Sequence, residues 1–267
     1  MKLYHEVDRV LNDLAAAGFG LDGALDANEL ARFDQYHYFG TDAVDEAING
    51  LSLGPGSAVV EIGGGIGGPA RRLASAARCH VSAIELQPDL NSLAADLTAR
   101  CGLSELVDHI EGDALDGVVG EGVFDAVVSW LTFLHIADRP LLYRECARML
   151  RPGGSMYVED YHRLGTLSQD EVRILAEDVF CHRVPTLAEY ETELSAAGFV
   201  DIELTDVTVA WRLFVADRFA EFRAARSLMI DRHGEELVDG LDHFYASIND
   251  LFSGGNLGGL RLTARLS

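Results

Sequence analysis

Residues 58–73 run AVVEIGGGIGGPARRL and join a short apolar segment to a helical pattern through a run of glycines. The apolar start predicts a buried strand, and Pro69 with the residues after it predicts a helix. A tight glycine turn between the two lets backbone N–H groups approach a ligand at the positive end of the helix dipole. We therefore expect a small, nucleotide-like ligand on this turn, with a turn used only for packing as the alternative.

Two ligand-binding patterns overlap in these glycines. Gly63-x-Gly65-x-x-Gly68 fits the dinucleotide fingerprint of NAD-binding proteins. Glu61-x-Gly63-x-Gly65-x-Gly67 resembles the acidic-Gly-x-Gly-x-Gly signature of class I S-adenosylmethionine (SAM) methyltransferases. Either pattern alone is a weak signal, so the rest of the chain has to distinguish them.

Length, charge and cysteine content narrow the class of protein. The 267 residues suit one large domain, or one domain with an appended cap. The formal net charge of -22 repels phosphate backbones and anionic lipid, so we expect neither nucleic acid nor membrane as a partner. The four cysteines are scattered and no histidine stands at metal-ligand spacing, which favours reduced thiols, a cytoplasmic location and no metal site. The first residues lack an apolar signal core.

The middle of the chain alternates between strand and helix patterns. Predicted strands cover 58–62, 80–86, 107–111, 124–130 and 155–160, and predicted helices cover 69–78, 88–101 and 139–150. This alternation predicts an α/β fold of the Rossmann-like type, with a parallel sheet between helices. Ligands of such sheets bind at the carboxyl ends of the strands.

Both ends of the chain add helices to this pattern. Helices are expected over 2–17, 26–33 and 42–51 before the sheet, and over 168–181, 186–197 and most of 212–252 after it. Strands are expected over 199–208 and 256–266. We expect residues 1–51 to form a helical lid and residues 52–267 to form the core, with a helical cap inserted at about 210–253.

Three acidic residues fall where a nucleoside ligand would need them. Glu85 closes the second strand, where a carboxylate can accept hydrogen bonds from ribose hydroxyls of either NAD or SAM. Glu61 lies inside the first strand, where a carboxylate needs an ammonium group or backbone amides to offset burial, and SAM carries an ammonium group. Asp113 follows the third strand, within reach of an adenine amino group.

Together these pieces resemble class I SAM-dependent methyltransferases over roughly residues 55–165. The resemblance also uses Phe124-Asp125 to Trp130 and Leu150-Arg-Pro-Gly-Gly154. It implies a seven-stranded sheet whose last strand is antiparallel and lies beside the fifth, with SAM as cofactor and S-adenosylhomocysteine (SAH) as product. The resemblance implies that Gly63 and Gly65 contact the methionine part, Glu85 the ribose, and Asp113 and Ala114 the adenine, with Trp130 near the adenosine or the substrate. Further expected cofactor contacts are Tyr38, Glu61 and Leu86.

A narrower resemblance comes from Asp34-Gln-Tyr-His-Tyr-Phe-Gly40, Gly64–Arg71 and Gly254–Gly259. These stretches are similar to the small-molecule branch with sarcosine/dimethylglycine and phosphoethanolamine N-methyltransferases. Many antibiotic-pathway O- and C-methyltransferases look alike, so the methyl acceptor stays open between nitrogen, oxygen and carbon. A homo-oligomer is a further expectation.

Acceptor chemistry requires a group that can take a proton from an amine or hydroxyl. His135 follows the fourth strand and is the first candidate, and a related histidine occurs at this place in the phosphoethanolamine branch. The alternative is that His135 has a structural role, as a histidine that caps a loop. The remaining candidates are His162, Tyr36 and His37 for catalysis, and Tyr161 and Arg183 for substrate binding.

Two other functions remain as alternatives. An NAD-dependent oxidoreductase is supported by the dinucleotide fingerprint, but neither Tyr143 nor Tyr157 is followed four residues later by lysine, and Lys2 is the only lysine in the chain. A SAM-binding protein without catalysis is the other alternative, and it would bind SAM without forming product.

Overall fold

Seven strands form one mixed sheet in the order β3-β2-β1-β4-β5-β7-β6. The structure is a computed structural model, and it describes residues 7–20 and 22–267. The strands are β1 (Ala58–Ile62), β2 (His80–Glu85), β3 (Val107–Glu111), β4 (Phe124–Trp130), β5 (Leu150–Arg163), β6 (Phe199–Asp206) and β7 (Leu257–Leu266). The first five strands pair in parallel, and β7 is antiparallel to both of its neighbours. The predicted seven-stranded sheet, with its last strand antiparallel beside the fifth, is confirmed.

Helices surround this sheet on both faces. They are α1 (Val7–Ala16), α2 (Ala27–Asp34), α3 (Thr41–Gly50), α4 (Gly68–Ala77), α5 (Pro88–Arg100), α6 (Arg139–Met149), α7 (Gln169–Glu177), α8 (Leu187–Ala196), α9 (Thr208–Ala224), α10 (Arg226–His233) and α11 (Glu235–Gly254). Side-chain caps fix several starts: Asp26 caps α2, and Ser168 and Thr186 form capping boxes with glutamates three residues on. The part of the first predicted helix over residues 2–6 lies outside the described residues.

The two faces of the sheet carry separate apolar clusters because neighbouring strand residues point in opposite directions. Val60 packs in the cluster that includes Leu142 of α6 and Leu194 of α8. Val59 packs in the cluster of α3 and α4, with Val44 and Leu73. The third predicted N-terminal helix therefore packs directly on the sheet, and the division of the chain at residue 51 stays a prediction.

Several element boundaries differ from the sequence prediction, and three of the differences have a visible structural cause. Strand β5 starts at Leu150 rather than 155, because Gly153 at φ 78° lets the chain bulge and continue in the sheet. Helix α7 ends at Glu177, and Phe180 at φ 56° keeps the next residues out of the helix. Strand β6 ends at Asp206, whose side chain accepts the N–H of Thr208 at the start of α9.

Within the described ranges, no helix combines the length and apolar character needed to cross a membrane.

Candidate active site

A cavity of about 850 Å³ lies at the carboxyl ends of β1, β2 and β4, beneath α9 and α11. This is the edge at which ligands of parallel sheets bind. Most of the predicted site residues line this cavity, and they are Tyr36, His37, Tyr38, Gly63, Gly65, Glu85, Leu86, Asp113, Ala114, Trp130, His135 and Tyr161. One cavity therefore contains both the expected cofactor contacts and the leading candidates for catalysis.

The glycine turn forms one wall of the cavity. Gly63 and Gly65 have φ angles of 81° and 52°, which favour glycine. A Cβ atom on Gly63 would overlap the Thr132 side chain, and one on Gly68 would overlap the backbone of Asp34. The turn is therefore clamped between the segment after β4 and the end of α2, and only glycine fits these positions.

Glu85 is anchored beside the turn by two backbone donors. Its Oε2 accepts the N–H of Gly65 at 2.8 Å, and its Oε1 accepts the N–H of Gln87 at 2.8 Å. Burial raises the pKa of Glu85, and these two N–H groups oppose that rise. A carboxylate oxygen can accept more than one hydrogen bond, so Glu85 retains acceptor capacity for the hydroxyls of a ligand that enters the cavity.

Asp113 is held by a similar local interaction. Its Oδ1 accepts the N–H of Leu115 at 2.9 Å and caps a short 3-10 helix over Ala114–Asp116. The cap holds Asp113 and Ala114 on the cavity wall, near the end of β3. Glu85 and Asp113 thus mark the end of the cavity that suits a nucleoside.

Glu61 lies below the turn and outside the cavity lining. Burial raises the pKa of Glu61 well above its ordinary value, and the guanidinium of Arg71 and the N–H of Ala70 oppose that rise. From the sequence, either an ammonium group of a ligand or backbone amides could offset the cost of burying the Glu61 carboxylate. The structure provides Arg71 and a backbone amide.

Arg71 itself ties the turn to α2. Its Nη2 donates to Asp34 Oδ2 at 2.8 Å and to the carbonyl of Ile66 at 2.6 Å, and both charged side chains are buried. Its Nη1 also donates to Thr98 Oγ1. The Arg71–Asp34 ion pair therefore holds the glycine turn against the end of α2.

Aromatic side chains from the segment after α2 cover the middle of the cavity. The His37 ring lies 5.6 Å from the Trp130 ring, and its nitrogens contact the Tyr38 carbonyl at 3.0 Å and Gln35 Oε1 at 2.9 Å. Burial lowers the pKa of His37 to about 4, so the ring is neutral at physiological pH. Because the neutral ring has one N–H and both of these partners are oxygen acceptors, His37 donates one hydrogen bond and otherwise forms part of the wall through packing.

His135 lies on a short 3-10 helix that follows β4. Its Nδ1 is 3.3 Å from the carbonyl oxygen of Phe180, which can only accept, so we assign the proton to Nδ1 and the lone pair to Nε2. Burial lowers the pKa of His135 to about 4, and the Phe180 carbonyl opposes this shift. The neutral imidazole of His135 lines the cavity and can accept a proton, although its lowered pKa makes it a weaker base than an ordinary histidine.

Two further predicted residues lie away from the cavity. His162 is buried near Thr208 Oγ1 at 3.4 Å, because it points to the opposite side of β5 from Tyr161. Arg183 forms an ion pair with Glu193 and lines a separate small hollow. We propose no direct contact of either with a ligand in the main cavity.

The structure adds cavity residues that the sequence reasoning missed. Thr132 and Arg218 line the cavity, as does one face of α11. Leu237, Leu241, Phe244 and Ile248 follow the spacing of one helix face, so the signal was present within the predicted cap. No group of three or more metal-ligating side chains comes together among residues 7–20 and 22–267.

Known proteins share this architecture and parts of this sequence. Residues 60–158 match the family model described as "Methyltransferase domain". A sarcosine/dimethylglycine N-methyltransferase of Halorhodospira halochloris is 31% identical over 61% of this chain and 59% of its own length. A phosphoethanolamine N-methyltransferase of Triticum aestivum is 29% identical over 75% of this chain and 39% of its own length.

A solved structure has a similar fold over most of the chain. The phosphoethanolamine N-methyltransferase 2 of Haemonchus contortus, in complex with phosphomonomethylethanolamine and SAH, aligns with a TM-score of 0.81 at 21% identity. The alignment covers 90% of this chain and 56% of that chain.

The fold is Rossmann-like, and residues 60–158 match a methyltransferase domain. The chain is similar to SAM-dependent methyltransferases in sequence and in fold, as its sequence predicts. It spans between 39% and 59% of the length of the three proteins compared above. The oxidoreductase alternative is not favoured, because the family match covers the glycine turn itself.

Proposed function

We propose that this protein transfers a methyl group from SAM to a small molecule. One observation carries the proposal: a single cavity joins the Glu85 and Asp113 end, which suits a nucleoside, to His135 and Tyr161. The curated relatives named above are N-methyltransferases. Nitrogen, oxygen and carbon acceptors all remain within this proposal, natural-product intermediates included.

The residues of the cavity fit SAM as cofactor. Glu85 has acceptor capacity for the ribose hydroxyls, and Asp113 with Ala114 lies where the adenine would be held. The glycine turn at Gly63 and Gly65 precedes α4 and lines the cavity, so its backbone would approach the methionine part closely. Leu86, Tyr38 and Trp130 provide apolar contact surface. When bound, SAM supplies an electrophilic methyl group.

The chain's own residues position the acceptor and manage its proton. We assign His135 as the general base, because its imidazole is neutral and lines the cavity. Tyr161 and Tyr36 lie on the same wall and orient the acceptor. Burial of this region excludes water from the reacting groups.

The proposal also gives a role to the helices that surround the site. Helices α1, α2 and α9 to α11 act as the lid over the cavity.

The four cysteines are unpaired with one another, which supports a reducing compartment such as the cytoplasm. The net charge of -22 disfavours a nucleic acid as the acceptor.

Calorimetry and mass spectrometry test this proposal. We expect SAH to bind with a dissociation constant in the micromolar range and NAD⁺ not to bind at millimolar concentration. Incubation with SAM and a library of amines, phenols and hydroxy acids should then yield a product heavier by one methyl group, together with SAH. Binding of NAD⁺ in preference to SAH would overturn the proposal. Tight SAM binding with no product from any acceptor would favour the non-catalytic SAM-binding protein.

A further inference from the structure

The cavity is much larger than SAM and a very small acceptor require together. Its volume is about 850 Å³, whereas the ~27 non-hydrogen atoms of SAM fill roughly 490 Å³ at ~18 Å³ per atom, close to the packing density of organic solids. The remainder, roughly 360 Å³, has room for about 20 non-hydrogen atoms at the same density. An acceptor of the size of an amino acid would leave most of this space unfilled.

The extra space follows the length of α11. The cavity lining includes Glu236, Leu237, Gly240, Leu241, Phe244, Tyr245 and Ile248, all from that helix. These positions repeat along one helix face and span twelve residue steps, which correspond to about 18 Å at the rise of an α-helix. The cavity is therefore elongated along the helix axis.

The last position of this face is the most buried. Glu236 and Gly240 are exposed, Leu237, Leu241 and Phe244 are half-buried, and Ile248 is only 3% exposed. The open end of the cavity thus lies at the start of α11. The closed end lies near Ile248, which shares an apolar cluster with Tyr38 and Tyr161.

Apolar side chains face α11 from the other walls. Val215 of α9 and Leu134, Val179 and Phe180 line the same cavity. Two charged residues, Arg218 of α9 and Asp178, also line it, and both contact side chains of α11: Arg218 lies over the Tyr245 ring, and Asp178 accepts a hydrogen bond from Ser247. The charged side chain that α11 adds to the lining, Glu236, is at its exposed end. Burying apolar ligand surface is the main favourable contribution that such walls can make.

We infer that the methyl acceptor is an elongated, largely apolar molecule of up to about 20 non-hydrogen atoms, inserted along α11 with its nucleophilic group at the closed end. This inference rests on the proposed function, and it names the substrate class for the same cavity. It assigns the α11 face, and Gly240 in particular, to acceptor specificity. Gly240 lines the cavity, and a Cβ atom on it would meet nothing within 4 Å, so a side chain can be added there without a backbone clash.

The test titrates SAH-saturated protein with two homologous series by calorimetry. One series is N-methylalkylamines with chains of four, six, eight and ten carbons, with sarcosine as the short reference. The other is the 1-alkanols of the same lengths, which show that any gain does not depend on a positive charge. We expect the dissociation constant to fall by at least tenfold from the four-carbon to the ten-carbon member, since each buried CH₂ alone contributes about fourfold.

Two variants of α11 locate the binding site of the ligand's alkyl chain. Gly240→Phe should abolish the gain between six and ten carbons, because the ring occupies the open half of the cavity, where the end of a long alkyl chain would lie. Ser253→Phe adds the same ring at an exposed position outside the lining, and it should keep the wild-type chain-length dependence. SAH binding by each variant verifies that it is folded.

The outcomes separate this inference from the function on which it rests. SAH binding with no dependence on chain length, or sarcosine bound more tightly than the ten-carbon members, would overturn the inference and leave the proposed function standing. A Gly240→Phe variant that keeps the full chain-length gain would also overturn it. Failure of wild-type protein to bind SAH would remove the proposed function and this inference with it.

Discussion

The hydroxyl oxygens of Tyr38 and Tyr161 lie 2.8 Å apart on the cavity wall. Tyr38 follows α2, and Tyr161 lies near the end of β5, so this contact joins the N-terminal segment to the sheet. Burial raises the pKa of Tyr38 to about 12, and the contact with Tyr161 opposes that rise. The hydroxyl of Tyr38 therefore stays protonated at neutral pH, and one hydroxyl donates to the other. The contact closes the inner end of the proposed acceptor site.

A double-mutant cycle of Tyr38→Phe and Tyr161→Phe measures this coupling. Each single change should lower the free energy of unfolding by about 1–2 kcal/mol, because it leaves the partner hydroxyl buried without its contact. The double change should cost at least about 0.5 kcal/mol less than the sum of the singles. Urea unfolding provides the three differences. Strict additivity would show that the two hydroxyls do not interact in solution.

Glu85→Gln tests the proposed ribose contact. Loss of the charge weakens the hydrogen bonds that Glu85 offers, so we expect SAH binding to weaken by about 10- to 100-fold, as for hydrogen bonds to charged groups. Glu111→Gln is the matched control, because Glu111 pairs with Glu85 in register on β3 but is exposed and outside the cavity lining. Calorimetry should find the control within twofold of wild type. Equal losses in the two variants would argue against a ribose contact of Glu85.

The pH dependence of stability tests the protonation state of His135. Its pKa is lowered to about 4 in the folded protein, against about 6.5 in an unfolded chain, so the unfolded state binds the proton first as the pH falls. The stabilisation is complete above pH 6.5 and is lost progressively down to about pH 4. Relative to His135→Gln, wild type should lose up to about 3 kcal/mol of unfolding free energy between pH 7 and pH 4. Denaturant titrations at several pH values measure the difference, and parallel curves would mean that the folded pKa is not lowered.

The sequence predicted the sheet well because its signals are local. The glycines after β1 and the apolar strands specify a βα unit within about 20 residues. Regular βα alternation then places the strand ends at one edge. The start of β5 was wrong because Gly153 allows a bulge instead of a turn, and a helix-stop pattern does not distinguish the two.

The cavity residues also divide into those that the sequence could predict and those that it could not. Glu85 and Asp113 follow strand ends, so topology alone brings them to the ligand edge. The α11 face depends on which helices cover that edge, and no local pattern specifies this. Arg183 shows the limit most directly, because a nearby glutamate, ten residues on, engages its charge outside the cavity.

Arg71→Met should disturb both stability and cofactor binding. Removing the guanidinium leaves the buried carboxylate of Asp34 unpaired, at a cost of about 3–5 kcal/mol. It also removes the donor to the Ile66 carbonyl, so SAH should bind less tightly through a loosened glycine turn. The neighbouring Arg72→Met is the control: its ion pair with Asp45 is half-exposed and should be worth at most about 1 kcal/mol. Similar unfolding free energies for the two variants would contradict the proposed role of the buried pair.

The substitution Asp13→Asn should increase the rate at which SAH dissociates. Asp13 Oδ1 accepts from Arg232 at 2.8 Å and from His233 at 3.1 Å, which fastens α1 to α10 beside the cavity. Charge-assisted hydrogen bonds of this kind contribute about 1–2 kcal/mol, so their weakening should raise the SAH dissociation rate by about 5- to 30-fold if these helices open during release. Stopped-flow displacement measures that rate. Asp8→Asn, on the exposed side of the same helix, should leave it unchanged. An unchanged rate in Asp13→Asn would mean that SAH leaves without separating α1 from α10.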